Sequence, residues 1–408
     1  MKRGCKVRWR YLTMSNDTQP EIRFPGFTED WEQRKLGEVV ESVGTGRSTF
    51  TNGIVQTSET PYAVLGSTSV ISYDSMFDHS GDFILTARVG ANAGNLYKYF
   101  GEVKISDNTV YIQANNLDFI YYLLTKYDLK RLSFGTGQPL VKASEVKNLK
   151  LNFPQKNEEQ QKIGSFFKQL DDTIALHQRK LDLLKETKKG FLQKMFPKNG
   201  AKVPEIRFPG FTGDWEQRKL NDFISGDISD GDWIEKEHIK DEGKYRIIQT
   251  GNIGNGVYID KEKSAKYMDQ NSFDILKANE IFPGDLLVSR LAEPAGRTVI
   301  LPNIEDRMVT AVDVTILRQN ENFDAYFLLS QMNTSKILNK VSKNVSGTSH
   351  KRISRKNLEK VTIDSTSIEE QNKIGAFFKQ LDDTIALHQC KLDLLKETKK
   401  GFLQKMFV

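Results

Sequence analysis

The sequence predicts a mixed α+β fold in which two α/β domains are separated by two long antiparallel helices that form a coiled coil. The whole chain is a pseudo-twofold internal repeat. Three observations predict this fold. Two segments occur twice at near identity, the second of them carries an unbroken heptad pattern, and the sequence between them has short strand-like runs separated by glycine-rich turns. At 408 residues the chain is also too long for one ordinary core.

The repeat consists of two segments, each nearly identical in its two copies. The first reads PEIRFPGFTEDWEQRKL at 20–36 and PEIRFPGFTGDWEQRKL at 204–220, so that sixteen of seventeen positions match. The second matches at thirty-two of thirty-four positions between 163–196 and 374–407. We call these four segments the frame.

The sequence between the frame segments has diverged and keeps only scattered similarities. They suggest one fold built twice with different surfaces. We call the diverged stretches the first and second domains; they are residues 37–157 and 221–368. The similar positions include Arg88 and Gly94 with Arg290 and Gly296, and Asp118-Phe119-Ile120-Tyr121 with Asp324-Ala325-Tyr326-Phe327.

The second frame segment predicts a long helix in each half of the chain. Its apolar residues and one histidine alternate at spacings of four and three over more than four heptads, which is the seam of a coiled coil. A narrow apolar stripe of this length needs a partner, and its own copy is the obvious one; two separate helix bundles are the alternative. The seam residues are Ile163, Phe167, Leu170, Ile174, His177, Leu181, Leu184 and Phe191 in the first copy and Ile374, Phe378, Leu381, Ile385, His388, Leu392, Leu395 and Phe402 in the second.

Connectivity determines the direction of the second helix. The first helix leads from the first domain to the second, and the second helix starts where the second domain ends, so we expect antiparallel packing. The frame segment 204–220 follows the first helix almost directly. A pseudo-twofold relation therefore places the segment 20–36 equally close to the end of the second helix, and we expect the two ends of the fold to be neighbours.

The two domains are predicted to mix strands and helices. Helical stretches fit 117–132 and 323–340. Strand-like runs occur at 62–65, 83–87, 109–112, 245–249, 286–289 and 312–317. The expected organisation is an extension or disordered segment at 1–15, the first domain with its frame segment at 16–157, a central helix at 158–200, the second domain with its frame segment at 201–368, and a C-terminal helix at 369–408.

Composition excludes several classes of protein. The net charge is +6, but five basic residues lie among the first thirteen, which hold no acid, so the remaining balance does not argue for nucleic acid. No apolar run approaches the roughly 18 residues of a membrane span. Cys5 and Cys390 cannot form a disulfide framework or a cysteine-rich zinc site, which fits a reducing cytoplasm.

Signatures of nucleotide and methyl-donor chemistry are missing from the sequence. Gly243-Lys244 is followed by Tyr245 and not by Ser or Thr, so it is no phosphate-binding loop. Asn152-Phe153-Pro154 lacks the second proline of the Asn-Pro-Pro-aromatic turn that supports amino-methylation of a base. The five histidines do not cluster at metal-ligand spacing. We therefore expect a chain that is not catalytic by itself and binds no metal.

Both helices open with similar strings, Glu158-Glu159-Gln160-Gln161-Lys162-Ile163-Gly164 and Glu369-Glu370-Gln371-Asn372-Lys373-Ile374-Gly375. Together with the two PEIRFPGF…DWEQRKL segments, these strings resemble the frame of the specificity subunit of type I restriction-modification systems. The resemblance covers essentially residues 20–408. It is specific because the pattern occurs twice, each time closing one of two diverged domains.

The resemblance implies a double-stranded-DNA-binding subunit without catalytic activity of its own. Each domain would be a target recognition domain for one half of a split target, and the frame would set the gap and dock two methylation subunits. Those partners would use S-adenosylmethionine to methylate adenine at N6, and two motor-nuclease subunits would use ATP and Mg to translocate and cleave unmethylated DNA. The chain itself would hold no cofactor and would work in the cytoplasm without contacting a membrane.

Candidate DNA-reading residues follow from side-chain chemistry. Arg, Lys, Asn and Gln read base edges, and Lys, Arg and glycine-rich backbone hold phosphates. The candidates are Arg88, Asn92, Asn95, Lys98, Gln138 and Lys142 in the first domain and Arg290, Arg297, Ser349, His350, Lys351 and Arg352 in the second. A structural ion pair is the alternative for Arg88 and Arg290, and a solvated turn is the alternative for 349–352.

Outward helix positions favour a partner that binds twice. A coiled-coil seam constrains only about two positions in seven, yet Lys168, Gln169, Lys180 and Lys185 recur as Lys379, Gln380, Lys391 and Lys396. Recent duplication is the alternative explanation.

Two other functions stay open: a helical scaffold or adaptor with two protein-binding domains, and a self-contained restriction-methylation enzyme. Duplex binding that weakens with salt would separate the family function from the scaffold, and the missing Asn-Pro-Pro turn counts against the enzyme.

Overall fold

The computed structural model describes residues 18–133, 139–198, 200–225, 227–291, 294–347 and 351–408. The expected extension at 1–15 lies outside them, as do Gln138, Ser349 and His350 of the candidate DNA-reading set. The described chain forms two compact units. The first unit comprises residues 18–178 and 390–408, and the second comprises residues 179–389.

The first unit contains a frame segment, the first domain and part of each long helix. Its helices are α1 (Leu36–Val39), α2 (Leu117–Tyr127), α3 (Ala143–Lys147) and the start of α4 (Asn157–Lys194), with a 3₁₀ helix at Leu129–Ser133. Its strands are β1 (Glu32–Lys35), β2 (Ser42–Thr45), β3 (Tyr62–Leu65), β4 (Val70–Asp74), β5 (His79–Ala87), β6 (Leu96–Ile105), β7 (Thr109–Gln113) and β8 (Lys150–Phe153).

Six strands of the first domain form one sheet in the order β2-β7-β5-β6-β3-β4, and β1 pairs separately with β8. Only the β3–β6 pair within this six-stranded sheet is parallel. Successive residues of β5 point to opposite faces: Ile84 packs towards α2, whereas Phe83 and Leu85 pack on the other face. Both faces of the strand are therefore buried at this point, which explains why Phe83, Ile84 and Leu85 form a continuous apolar run.

The second unit contains the other frame segment, the second domain and the remaining parts of both long helices. Its further helices are α5 (Leu220–Phe223), α6 (Gln270–Leu276), α7 (Ala325–Met332), α8 (Ser335–Ser342), α9 (Arg355–Glu359) and the start of α10 (Ile368–Lys405), with 3₁₀ helices at Lys236–His238, Thr250–Asn252 and Glu262–Ser264. Its strands are β9 (Glu216–Lys219), β10 (Ile228–Asp230), β11 (Tyr245–Ile248), β12 (Lys266–Met268), β13 (Glu280–Ile281), β14 (Leu286–Ser289), β15 (Thr298–Ile300), β16 (Arg307–Thr310), β17 (Val314–Leu317) and β18 (Thr362–Ser365).

The second domain repeats the topology of the first with two interruptions. The order β10-β17-β14-β15 follows β2-β7-β5-β6, and the order β13-β16-β11-β12 follows β5-β6-β3-β4. The long strands β5 and β6 therefore each correspond to two short strands. Pro283 lies between β13 and β14, and Pro302 lies between β15 and β16. Because proline cannot donate a ladder hydrogen bond, it interrupts each strand, and one sheet of six strands becomes two sheets of four.

The long helices α4 and α10 span thirty-eight residues each, and the seam positions are buried or half-buried along both. Within the first unit, Phe166 of α4 packs edge-on against Phe402 of α10, with ring centroids 5.1 Å apart. One turn further along α4, Asp171 binds Lys399 at 2.5 Å. The residue numbers of the partners on α10 therefore decrease as those on α4 increase, so the paired stretches are antiparallel.

Within the second unit the same pairs occur with the helices exchanged. Phe377 of α10 packs edge-on against Phe191 of α4 at 4.9 Å, and Asp382 binds Lys188 at 2.5 Å. The predicted antiparallel pairing of the two frame helices is thus confirmed inside each unit, and separate helix bundles are excluded. The repeat lies in the contacts as well as in the sequence.

Each frame segment that precedes a domain is bound to the end of a long helix. In the first unit the Ile22 N–H donates to the Lys405 carbonyl at 3.0 Å. In the second unit the Ile206 N–H donates to the Lys194 carbonyl at 2.9 Å. The expectation that the segment 20–36 lies beside the end of the second helix is therefore confirmed.

A buried ion pair fixes each frame segment to the start of the other long helix. Arg23 binds Glu159 through two hydrogen bonds of 2.7 and 2.8 Å, and Arg207 binds Glu370 with the same two distances. The glutamate side chains are 1% and 0% exposed. The forked guanidinium matches the two carboxylate oxygens, so this pair fixes orientation as well as position.

Some expected elements differ in the structure. The stretch at 117–132 is not one helix, because Asp128 takes a left-handed conformation with φ of 61° and ends α2. The stretch at 323–340 is broken before Thr334, whose hydroxyl caps α8. The expected match of Asp118–Tyr121 with Asp324–Phe327 is wrong by two residues. Phe119 and Phe327 are the true counterparts, since each packs against the frame tryptophan of its own unit.

Replacing one partner of the buried pair should destabilise one unit selectively. Glu370→Gln leaves the Arg207 guanidinium largely buried without a counter-charge, which typically costs about 3–5 kcal/mol. We expect amide hydrogen exchange in the second unit to accelerate by more than about 100-fold, since 1.4 kcal/mol is tenfold, while the first unit keeps its protection.

The matched control is Glu159→Gln, which should reverse the pattern between the two units. Glu216→Gln alters an exposed pair with Arg218 and should change exchange little. Equal loss of protection in both units after Glu370→Gln would contradict the assignment of this pair to one unit.

Candidate nucleic-acid interface

Arg88 lies at the end of the first domain's sheet, directly after β5. Its N–H donates to the Asn108 carbonyl at 2.8 Å, and its carbonyl accepts from the Val141 N–H at 2.8 Å. These bonds hold the backbone between two neighbouring segments. The guanidinium is exposed and has no ion pair within the described part of the chain. The structure therefore does not support the structural ion pair as the role of Arg88.

The candidate loop that follows Arg88 is compact. The Ala93 N–H donates to the Gly90 carbonyl at 2.9 Å, and the Asn95 N–H donates to the Asn92 carbonyl at 3.0 Å. The Asn95 side-chain amide also donates to the Asn92 side chain at 3.2 Å. Gly94 has φ of +87°, and a Cβ there would lie 2.5 Å from a neighbouring backbone nitrogen, so the turn requires glycine. The loop thus presents two amides on a constrained backbone.

Lys98 and Lys142 lie in different surroundings. Lys98 is on β6, and its ammonium binds Asp118 at 2.6 Å and lies 4.8 Å from the centroid of the Tyr121 ring. It faces α2, not the end of the sheet. Lys142 is an exposed residue that precedes α3 and binds Glu145 at 3.1 Å. The structure brings Arg88, Asn92 and Asn95 together, whereas it gives Lys98 a structural contact.

Arg290 has the same backbone setting as Arg88 but a different side-chain environment. Its N–H donates to the Asp313 carbonyl at 2.8 Å, and its carbonyl accepts from the Ile353 N–H at 3.1 Å. The side chain is 4% exposed, donates to the Val312 carbonyl and lies 3.5 Å from Asp230. Burial lowers the pKa of Arg290 from its ordinary value, and Asp230 opposes that shift. The geometry therefore supports a structural ion pair as the role of Arg290.

The remaining described candidates of the second domain surround this arginine. Arg297 is half-buried, and its Nε has no hydrogen-bond partner among the described residues. Arg352 binds Asp313 at 2.9 Å and forms two backbone hydrogen bonds of 3.0 Å with Ser346. Lys351 is exposed. The loop that carries Lys351 and Arg352 thus meets the end of β14 at the same place as Arg290.

Sequence reasoning missed two arginines at these sheet ends. Arg47 is exposed on the turn after β2, in the first domain. Arg355 lies 3.7 Å from Asp230 and 3.4 Å from Glu359. Arg47 directly follows the glycine-rich turn Gly44-Thr45-Gly46, which could have indicated it, whereas Arg355 has no such neighbourhood. Spacing could have indicated Arg355, because it follows the basic pair Lys351-Arg352 at the start of a short helix.

The described residues contain neither of two further kinds of site, a metal-binding cluster or a membrane-spanning helix. Within the described ranges, no group of three or more His, Cys, Asp or Glu side chains is placed to hold a metal ion. None of the helices there is both long and apolar enough to cross a membrane.

The model for the type I restriction modification DNA specificity domain matches this chain twice, at residues 28–186 and 212–397. Two proteins of Methanocaldococcus jannaschii are similar over most of their length. The type I restriction enzyme MjaVIII specificity subunit is 24% identical over 333 residues, 77% of this chain and 75% of the relative. The putative MjaX specificity subunit is 22% identical over 415 residues, 92% of each.

A solved structure has the same fold. The crystal structure of the type I restriction-modification S subunit from M. genitalium superposes with a TM-score of 0.65 at 15% identity, covering 96% of this chain and 99% of that chain. At this identity the similarity concerns the fold alone. The fold is therefore shared with that solved S subunit.

The contrast between Arg88 and Arg290 gives a testable difference. Arg88→Ala should leave folding unchanged and weaken binding to a random-sequence duplex, lowering the slope of log affinity against log salt by about 1 if one phosphate contact is lost. Arg290→Ala should instead accelerate hydrogen exchange around β14, because it removes a buried cation from Asp230. Fluorescence anisotropy at several salt concentrations and hydrogen exchange measure the two effects. An unchanged salt slope for Arg88→Ala would remove Arg88 from the interface.

Proposed function

The chain belongs to the family of type I restriction-modification specificity subunits, and from this we propose that each of its domains reads one half of a bipartite DNA target. One observation carries the proposal. Arg88 and Arg290 share one backbone setting at the end of corresponding sheets, yet the side chains around them differ. A common scaffold with different exposed side chains is what two different half-sites require, because phosphate contacts position a protein while side chains at base edges specify sequence.

The loops at these sheet ends have the chemistry of DNA contacts. In the first domain, Arg88 offers an exposed guanidinium and Asn92 an exposed amide on a constrained turn. In the second domain, Asp313 holds the guanidinium of Arg352 beside the exposed Lys351. Ion pairs of this kind orient arginines before contact, and a phosphate can replace the carboxylate as the partner. We infer that base and phosphate contacts come from these loops.

We also propose that the frame docks two methylation subunits. Along α4 in the second unit, Leu183 is 68% exposed, and Gly190 lies seven residues further on. Along α10 in the first unit, Leu394 is 40% exposed and is followed at the same spacing by Gly401. Residues seven apart lie on one face of a helix. Each unit therefore presents the same leucine and glycine on the helix face that points away from its seam.

The glycines support a close partner. A Cβ at Gly190 or Gly401 would meet nothing within 4 Å, and glycine inside a helix costs about 1 kcal/mol relative to alanine. Packing in the described chain gives no reason for either glycine. A partner helix that approaches the backbone there would give one. Because the surface occurs twice, the same partner would bind twice.

The chemistry of the complex is proposed to lie in its partners. The methylation subunits would use S-adenosylmethionine to methylate adenine at N6, and two motor-nuclease subunits would use ATP and Mg. This chain would bind none of these cofactors and would supply DNA recognition and docking.

The proposal is tested by exchanging one domain. The chain is co-expressed with candidate methylation subunits, and N6-methyladenine is mapped in the DNA of the cells. Replacing residues 37–157 with the corresponding domain of another specificity subunit should change one half of the methylated site and leave the other half and the gap unchanged. Two changed halves would contradict the modular assignment. A chain that binds no duplex at any salt concentration would instead support the scaffold function.

Docking is tested by one substitution in each unit. Leu183→Glu introduces a charge into the proposed apolar contact, and the complex should lose one methylation subunit. Leu394→Glu should do the same, and the double variant should lose both subunits. Native mass spectrometry of the purified complex measures the composition. The control is Val257→Glu, which alters a residue of the second domain that is 61% exposed and should leave the complex intact. An intact complex with the double variant would exclude this surface.

A further inference from the structure

Trp233 is exposed in a way that the other described tryptophans are not. Its exposed fraction is 70%, whereas Trp31 and Trp215 are 3% and 5% exposed in the cores of their units. An exposed tryptophan leaves a large apolar surface in water. A single exposed apolar residue needs no explanation by itself. Any functional role of Trp233 must therefore be argued from the loop that carries it and from the residues near that loop.

The loop that carries Trp233 is anchored on both sides of the side chain. The Gly231 N–H donates to the Val314 carbonyl and the Asp232 N–H donates to the Thr310 carbonyl, both at 2.9 Å. The Asp232 carboxylate accepts from the Asn279 N–H at 2.6 Å. Ile234, on the other side, packs against a buried cluster. The indole therefore projects from a fixed backbone.

Trp233 follows the sheet end where the arginines of the second domain meet. Asp230, three residues earlier, lies 3.5 Å from Arg290 and 3.7 Å from Arg355. Asp313, which binds Arg352, directly precedes β17, the strand that pairs with β10. The loop thus belongs to the proposed DNA-contacting surface.

The corresponding loop of the first domain makes the equivalent backbone hydrogen bonds with one additional residue, Arg47, between them. There the Gly46 N–H donates to the Thr109 carbonyl at 3.0 Å, and the Ser48 N–H donates to the Ile105 carbonyl at 3.3 Å. These are the counterparts of the Gly231 and Asp232 bonds, so Thr49 occupies the place of Trp233. Thr49 is also exposed. The two domains therefore differ at this position in the side chain they present.

We propose that Trp233 stacks on bases of the duplex bound by the second domain. The inference rests on the proposed function and adds a reading element to it. Aromatic side chains next to cationic ones contact DNA by stacking on bases or wedging between base steps, and arginine and lysine hold the neighbouring phosphates. A rigid loop holds the ring in place before contact, so little ordering is needed on binding.

The test uses the full chain and a short duplex carrying the site mapped by adenine methylation. Trp233→Ala should weaken binding by roughly 5-fold, the lower end of what one aromatic–base stack contributes on a single strand, because unstacking a step of the duplex offsets part of the gain. Trp233→Phe should lose less, because a smaller ring still stacks. Indole fluorescence of the wild-type chain should be quenched by the duplex, and Trp233→Phe should remove most of that quenching.

The control is Ile275→Ala, which removes an apolar side chain with 61% exposure from the same domain and should leave affinity within about twofold. Wild-type affinity in Trp233→Ala, or an equal loss in Ile275→Ala, would overturn the stacking role while leaving DNA recognition intact. A wild-type chain that does not bind the duplex would overturn the proposed function itself.

Discussion

Four aromatic rings from four separate stretches of chain close the core of each unit, and the rest of the architecture depends on them. In the first unit they are Trp31 of the frame, Phe119 of α2, Phe167 of α4 and Phe407 beyond the end of α10, with neighbouring centroids 5.6 to 6.3 Å apart. Rings of this size dominate core energetics. The core is therefore incomplete unless the start of one long helix and the end of the other are both present. The near identity of the frame is thus a packing requirement, in addition to its proposed role as a docking surface.

This arrangement separates the aromatic cluster, which must stay constant, from the strands and loops of the domains, which can vary. The second unit builds the same aromatic cluster from its own four stretches, with Trp215, Phe327, Phe378 and Phe196. Away from it, the second domain replaces the long strands β5 and β6 with pairs of short strands at Pro283 and Pro302. The order of strand pairing survives the interruptions because it is set by the ladder and not by strand length. Loops at the sheet end can therefore change without disturbing the packing of each domain against the helices of its own unit.

Periodic features of the fold were predictable from the sequence, and features that depend on distant partners were not. The seam followed from heptad spacing, and its direction followed from connectivity, because both are properties of one continuous stretch. The left-handed Asp128 that ends α2 leaves no periodic signal, so the helix there was expected to be longer. The match between Asp118 and Asp324 was wrong because sequence similarity favoured two acids, whereas packing aligns Phe119 with Phe327 against a tryptophan.

At the candidate site, one pair of residues likewise has a feature that was predictable from the sequence and a feature that was not. Arg88 and Arg290 were correctly matched, because each directly follows a buried strand and precedes a glycine six residues later. Their different surroundings could not be predicted, since the carboxylate beside Arg290 belongs to Asp230, sixty residues earlier in the chain. A buried arginine cannot leave such a carboxylate without a large desolvation penalty. Under the proposed function, recognition in the second domain would therefore come from residues displayed around Arg290, whereas in the first domain the exposed Arg88 would itself contact the duplex.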